Sequence, residues 1–340
     1  TGEDTLSLHD ALPIFQKNPG YWDKESVKTE QIHIPIIGNE TTALHLFEKG
    51  DLDYIGGDYL PLSLDAISRL KKEGRLKLAG YGGTEYCALN THAFPLNNLN
   101  LRKALSIAIN RKELIEHVTL CDDEVANNMI CSVFKNGQKE ALFPDGDAKE
   151  AQKYLKAALK ELNLTPEKID LTFKYDDAEI SQRLAQIMQT QWKKTLGIDI
   201  KLEKLELKTF VNFLRERNYQ IGLIYWMLHF NDPMDIMDRY RSADLLKNYP
   251  GWSNPEYSAA LDAYFTEKDE AKRIQILKKA EKLFIEDMPV IPLYHFTRPY
   301  MTQKNVEGVE TSPTGDILFN RAYKPTAVRA NAAETAKVSS

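Results

Sequence analysis

Residues 85–111 read EYCALNTHAFPLNNLNLRKALSIAINR, an apolar segment that runs into a helical one. Glu85 to Asn90 has the composition of a buried strand. From Asn98 to His117 the pattern is helical. Leu101, Ala104, Leu105 and Ala108 share one face, and Asn110 is a break that caps a second helix. Arg102 and Arg111 are expected to stay outside or to pair.

The same strand-and-helix alternation extends both ways. Upstream, EQIHIPI (30–36) alternates as a strand. A helix follows, capped by Thr41 or Thr42 and stopped by Gly50. Residues 51–55 form a short strand, 61–72 a helix and 76–79 a strand that leads into Gly80-Tyr81-Gly82-Gly83, where a bend or hinge is expected. Downstream, helices are expected over 148–163, 178–195, 209–217, 254–267 and 270–288. Strands are expected over 169–175, 198–205 and 219–227. Residues 290–296, interrupted by Pro292, read as an edge-like strand. This is α/β organisation.

The 340 residues carry a net charge of −5, which leaves no basic footprint for nucleic acid. No apolar run reaches the ~18 residues that would span a bilayer. Three cysteines do not make a disulfide framework; Cys121 and Cys131 bracket a polar loop that one disulfide would close, or else they are unpaired thiols. No catalytic signature stands out. HVTLCDD (117–123) matches no closed zinc spacing. Asp176-Asp177 and Asp232/Asp235 fit turns and caps as well as acid–base pairs. No cofactor and no metal are expected.

Three stretches carry more. Asn18-Pro19-Gly20-Tyr21-Trp22-Asp23 precedes QIHIPI and ALHLFEKGDLDYI. Tyr86-Cys87-Ala88-Leu89-Asn90 precedes Pro95-Leu96-Asn97-Asn98 and LRKALSIAINR. Trp192-Lys193-Lys194-Thr195-Leu196-Gly197-Ile198 precedes Tyr225-Trp226 and Asn231-Asp232-Pro233. In order and spacing, from about Phe15 to Tyr323, the chain resembles the oligopeptide- and dipeptide-binding proteins of ABC importers, extracellular solute-binding proteins of family 5. The resemblance implies a two-lobe periplasmic-binding-protein-like fold, with Tyr21 and Trp22 anchored under a sheet. It implies no enzyme activity, an extracytoplasmic location in the periplasm or at a membrane anchor, a monomer, a peptide ligand, and permease subunits in the membrane as partners. The ligand would lie extended in the cleft between lobes and pair through its backbone with a strand. The candidate ligand-binding residues are Tyr225, Trp226, Met227, Leu228, His229, Asn231 and Asn90. For Tyr225 and Trp226 the alternative is core packing.

Two positions depart from the peptide-binding pattern. His229 stands where an aspartate often meets the peptide's amino terminus, and neutral imidazole is a weak partner for an ammonium. Leu223 stands where some members carry an arginine, with Arg215 and Arg217 nearby. Another carboxylate, or a ligand that is not a simple peptide (a nickel chelate, a sugar, a modified peptide), would reconcile this. A hydrolase is a more distant alternative.

The resemblance also sets boundaries: 15–82 as an incomplete first lobe, 83–297 as the second lobe, 298–325 as returning strands and 326–340 as a disordered tail. Members run to roughly five hundred residues, so the fragment as given is expected to bind poorly. TLSLHDALPI (5–14) resembles the translation of a sequencing-library adapter, and 1–14 are expected to be artefactual.

Overall fold

Alternating strands and amphipathic helices have to bury one face each, and layering helices on a sheet satisfies both. The computed structural model describes residues 13–57, 62–134 and 140–325. Two compact units divide the chain: one runs up to Lys77 and resumes at Pro299, and the other is Leu78–Arg298. The expected crossings lay at 82/83 and 297/298.

The first unit begins with β1 (Ile14–Gln16), which pairs antiparallel with β2 (Gln31–His33). Ile14 therefore belongs to a ladder, opposite His33, although it falls within the segment expected to be artefactual; the rest of that segment, except Pro13, lies outside the described residues. Helix α1 (Glu40–Lys49) is capped by Asn39, whose side chain accepts from the Thr42 N–H, rather than by Thr41 or Thr42. Gly50, in the left-handed region, ends it. Strand β3 (Tyr54–Gly56) and helix α2 (Leu64–Lys72) follow. Tyr21 and Trp22 are not anchored under a sheet: they are 40% and 86% exposed, so their local turn is formed without a core to receive them.

The second unit begins in β4 (Lys77–Leu89), one continuous strand through Gly80, Gly82 and Gly83. The expected bend is absent, and at Gly83 the glycine serves close approach instead. A Cβ on Gly83 would lie 2.7 Å from both the Phe296 ring and the Trp226 carbonyl oxygen. Helices α3 (Leu99–Ile107) and α4 (Arg111–Leu114) are capped by Asn98 and Asn110. Then come β5 (Glu124–Val125), α5 (Ala148–Leu162), β6 (Leu171–Asp176), α6 (Glu179–Leu196) and β7 (Ile200–Leu205). The unit continues with α7 (Leu207–Arg215), β8 (Ile221–Met227), α8 (Met234–Met237), α9 (Pro255–Thr266) and α10 (Glu270–Asp287). Strand β9 (Val290–Thr302) returns to the first unit, which ends in the hairpin of β10 (Glu310–Thr311) and β11 (Ile317–Leu318).

Sheet order is β9-β4-β8-β6-β7, with β5 also on β9 and β3 on the last residues of β9. β9 is thus interior, not edge-like. Pro292 is tolerated because it lies ahead of the β5 rungs at Tyr294 and His295. Strand β8 runs antiparallel to β4 and parallel to β6. Trp192 on α6 is fully buried, with its indole N–H donating to the Leu105 carbonyl and its ring edge-on to Phe173.

Arg102 and Arg111 are buried rather than outside, 6% and 0% exposed. Arg102 donates to the carbonyls of Leu96, Asp287 and Met288. Arg111 donates to those of Ser106, Ile109 and Pro292, and pairs with Asp145 at 3.3 Å. Burial pulls both down to about 10, so both stay charged at neutral pH and tie helix ends to the returning strand. Cys87, Cys121 and Cys131 form no disulfide.

Candidate functional site

Strand β8 is apolar because its first half is core. Ile221, Gly222 and Leu223 are buried, and β6 pairs with it at Ile221 and Gly222. Beyond Gly222 the rungs with β6 stop, while those with β4 continue to Met227.

Parity then decides which backbone groups are used. In an antiparallel pair, opposed residues alternate between bonded and non-bonded rungs. Asn90 N–H donates to the Gln220 carbonyl, and Leu228 N–H donates to the Gly82 carbonyl. The even-numbered residues of β8 therefore bond to β4. The N–H and C=O of Tyr225 and Met227 point the other way, where among the described residues no strand receives them. The Tyr225 side chain is 48% exposed and meets Phe296 edge-on at 6.2 Å.

A turn follows in which one buried carboxylate gathers three nitrogens, two of them N–H donors. Asp235, 9% exposed, accepts at Oδ2 from the Trp226 indole N–H (3.3 Å) and the His229 backbone N–H (2.8 Å), and His229 Nδ1 lies 3.3 Å away. The Arg239 guanidinium lies 3.7 Å from the centroid of the Trp226 ring, and Lys247 Nζ is 4.8 Å from it. Arg239 also donates to Tyr86 Oη and to the Lys247 carbonyl. Trp226 is thus a half-buried plate contacted by two cations, its edge held by Asp235.

The expected site residues do not all meet. Tyr225, Trp226, Met227 and His229 lie together at this end of β8, and Asn231 is exposed in the next turn. Leu228 is 7% exposed and packs in the core. Asn90 is at the opposite end of the ladder, roughly 20 Å along the strand from Met227. Its amide is engaged locally, by the carbonyls of Arg217 and Tyr219 and the His92 N–H.

Sequence reading missed Glu85, Arg239 and Lys247. Glu85 stands directly across the ladder from Tyr225 and is only 7% exposed. Burial pushes its carboxyl up to about 8, with the charges of Asp176 and Asp123 adding to the effect. The available signal was a single charge in phase with Cys87 and Leu89 within an otherwise apolar strand. On the opposite face, His295 Nδ1 lies 2.8 Å from the Thr84 hydroxyl and Nε2 lies 2.8 Å from Asn128 Oδ1. Burial lowers this imidazole to about 3, so it is neutral. Among the described residues no group of three or more His, Cys, Asp and Glu side chains is arranged to hold a metal.

Residues 11–247 match the family described as bacterial extracellular solute-binding proteins, family 5 Middle. The chain is 36% identical over 325 residues to the oligopeptide-binding protein OppA of Bacillus subtilis, which covers 94% of this chain and 59% of that protein. Among solved structures, a periplasmic oligopeptide-binding protein from Borrelia burgdorferi is 28% identical with a TM-score of 0.68, covering 92% of this chain and 62% of that one. HbpA2 from Haemophilus parasuis has the same fold, with 23% identity and a TM-score of 0.82 over 93% of this chain and 62% of that one. The chain spans about three fifths of the length of these relatives.

Proposed function

From the premise that the chain belongs to the family 5 bacterial extracellular solute-binding proteins, we propose that it is the receptor of an ABC importer and binds an extended peptide against β8. The observation that carries this reading is the one-sided ladder at Ile224–Met227. Tyr225 and Met227 offer N–H and C=O groups along an open edge, and any peptide backbone complements them. Trp226 and His229 flank that edge, and Asn231 extends the surface beyond it. The binding role proposed for Leu228 and Asn90 is indirect: one anchors the turn in the core, and the other fixes the far end of the ladder.

The reading takes the ligand to lie in the cleft of the whole protein, outside the cytoplasm, with membrane permease subunits receiving it. Among the described residues no helix is long and apolar enough to cross a membrane. Binding without chemistry fits a surface in which Asp235, the best placed acid, is already engaged by two N–H donors and lies beside the His229 ring.

The test is calorimetric titration of the full-length protein with Ala-Ala-Ala, paired with amide exchange. Binding is expected, with the Tyr225 and Met227 amides gaining protection and the Ile224 and Trp226 amides changing little. Binding without protection at Tyr225 and Met227 would refute the backbone-pairing mode. The chain as given is expected to bind the same peptide weakly or not at all, and tight binding would overturn that.

A second reading keeps the family and changes the solute. Leu223 is 2% exposed and offers a ligand no charge, and His229 replaces the usual aspartate. Mass spectrometry of the ligand that copurifies with the full-length protein separates a peptide from a chelate or sugar.

A further inference from the structure

Glu85 is a carboxyl group without a hydrogen-bond partner among the described residues, more than nine-tenths buried, on the strand next to the open edge. Its rung partner is Tyr225, so the two side chains leave the sheet on the same face. Tyr225 is half exposed there, and Phe296 packs edge-on against it.

The groups around Glu85 are one-sided in charge. Asp176 closes β6, and Asp123 precedes β5; both raise its affinity for a proton. Tyr294 faces it from β9, with Cys121 beyond. Cys87 lies two residues along β4. The nearby cations are committed elsewhere. Arg298 lies 4.3 Å from the Tyr81 ring centroid and acts on Asp123, and Arg111 is paired with Asp145 deep in the core. A buried carboxyl among other acids with no cation of its own is a poor structural element. It is a good receptor for a cation that arrives from outside.

We propose that Glu85 is a recognition group for a positively charged nitrogen of the ligand, an alkylammonium, brought alongside β8. The inference rests on the binding face proposed above and gives that face a charge preference. On binding, the neutral carboxylic acid gives its proton to solvent. The resulting carboxylate then pairs with the ligand ammonium, so one proton leaves for each cation bound. This also locates a carboxylate near the face where His229 supplies none.

The cation has two sources, the amino terminus or a lysine side chain, and three peptides separate them: Ala-Ala-Ala, N-acetyl-Ala-Lys-Ala and N-acetyl-Ala-Ala-Ala. Each is titrated into full-length protein at pH 7 in two buffers of different ionisation enthalpy. The peptide whose ammonium reaches Glu85 is expected to release roughly 0.9 proton, as a carboxyl of pKa about 8 requires. Its affinity should rise close to tenfold per pH unit from pH 5.5 to 7.5. N-acetyl-Ala-Ala-Ala, which carries no ammonium, should release none. In Glu85→Gln the release and the pH dependence vanish, while the peptide without an ammonium keeps its affinity. Binding of all three with no proton release by wild type sinks the role of Glu85 and leaves the binding face intact. Failure of all three to bind sinks the binding face and this inference with it. The wild-type proton count decides the matter even where the variant fails to fold.

Discussion

The two halves of β8 share one backbone and differ in their company. Ile221 and Gly222 sit between β4 and β6 and are buried; Ile224–Met227 have β4 alone, and Tyr225 reaches solvent. The cause lies in the neighbour. Asp176 ends β6 by accepting the Ala178 N–H, which turns the chain out of the sheet and into α6. One strand therefore serves as core where β6 accompanies it and as an exposed edge where β6 has left. A sheet can thus keep an open edge without being weak, because the other half of the strand is locked in place.

The comparison breaks most readily at the paired half. Ile221→Ala is expected to destabilise the second unit by about 2–5 kcal/mol, since Ile221 is fully buried; urea unfolding measures it. A loss below about 1 kcal/mol would mean that the two halves are not energetically distinct. Gly83→Ala should cost about 1–3 kcal/mol, because its methyl group meets Phe296 and the Trp226 carbonyl. It should also move Phe296 off Tyr225, a change visible in ring proton shifts. Glu85→Gln should raise thermal stability, and the gain should depend on pH. The folded pKa of about 8 lies above the ordinary 4.5, so wild type loses stability as pH rises from about 4.5 to 8 and stays level above. The melting-temperature advantage of the variant should therefore be small at pH 4.5 and full at pH 9, and a constant offset would refute it. Tyr225→Ala is expected to change stability by less than about 1 kcal/mol while weakening Ala-Ala-Ala binding by about tenfold. Equal losses in both would erase the contrast between the halves.

Local signals in the sequence located most elements, because periodicity and caps are local properties. Asn110 caps α4 as its place in the pattern suggests, and asparagines at 98 and 254 cap α3 and α9 in the same way. Features set by distant partners stayed hidden. Three glycines in 80–83 look like a bend, and the need for a glycine at 83 comes from Phe296, more than two hundred residues away. Pro292 looks like an edge signal until β5 is known to pair two residues later. Arg102 and Arg111 look solvated until the carbonyls of α10's end and of β9 surround them. For the candidate site, the family resemblance points to Tyr225 to His229, but the open edge depends on where β6 leaves the sheet, and register is a long-range property. Glu85 escaped because a single charge in a strand carries no motif.

The open rungs at Tyr225 and Met227 are main-chain atoms, and this limits what mutation can do to them. Side chains around the edge can be exchanged one by one, redrawing size, charge and preference. The row of donors and acceptors itself is common to all residues, and only proline removes a donor from it. On the proposed binding mode, substitutions around the edge would change which side chains are accepted while the backbone contacts stay the same.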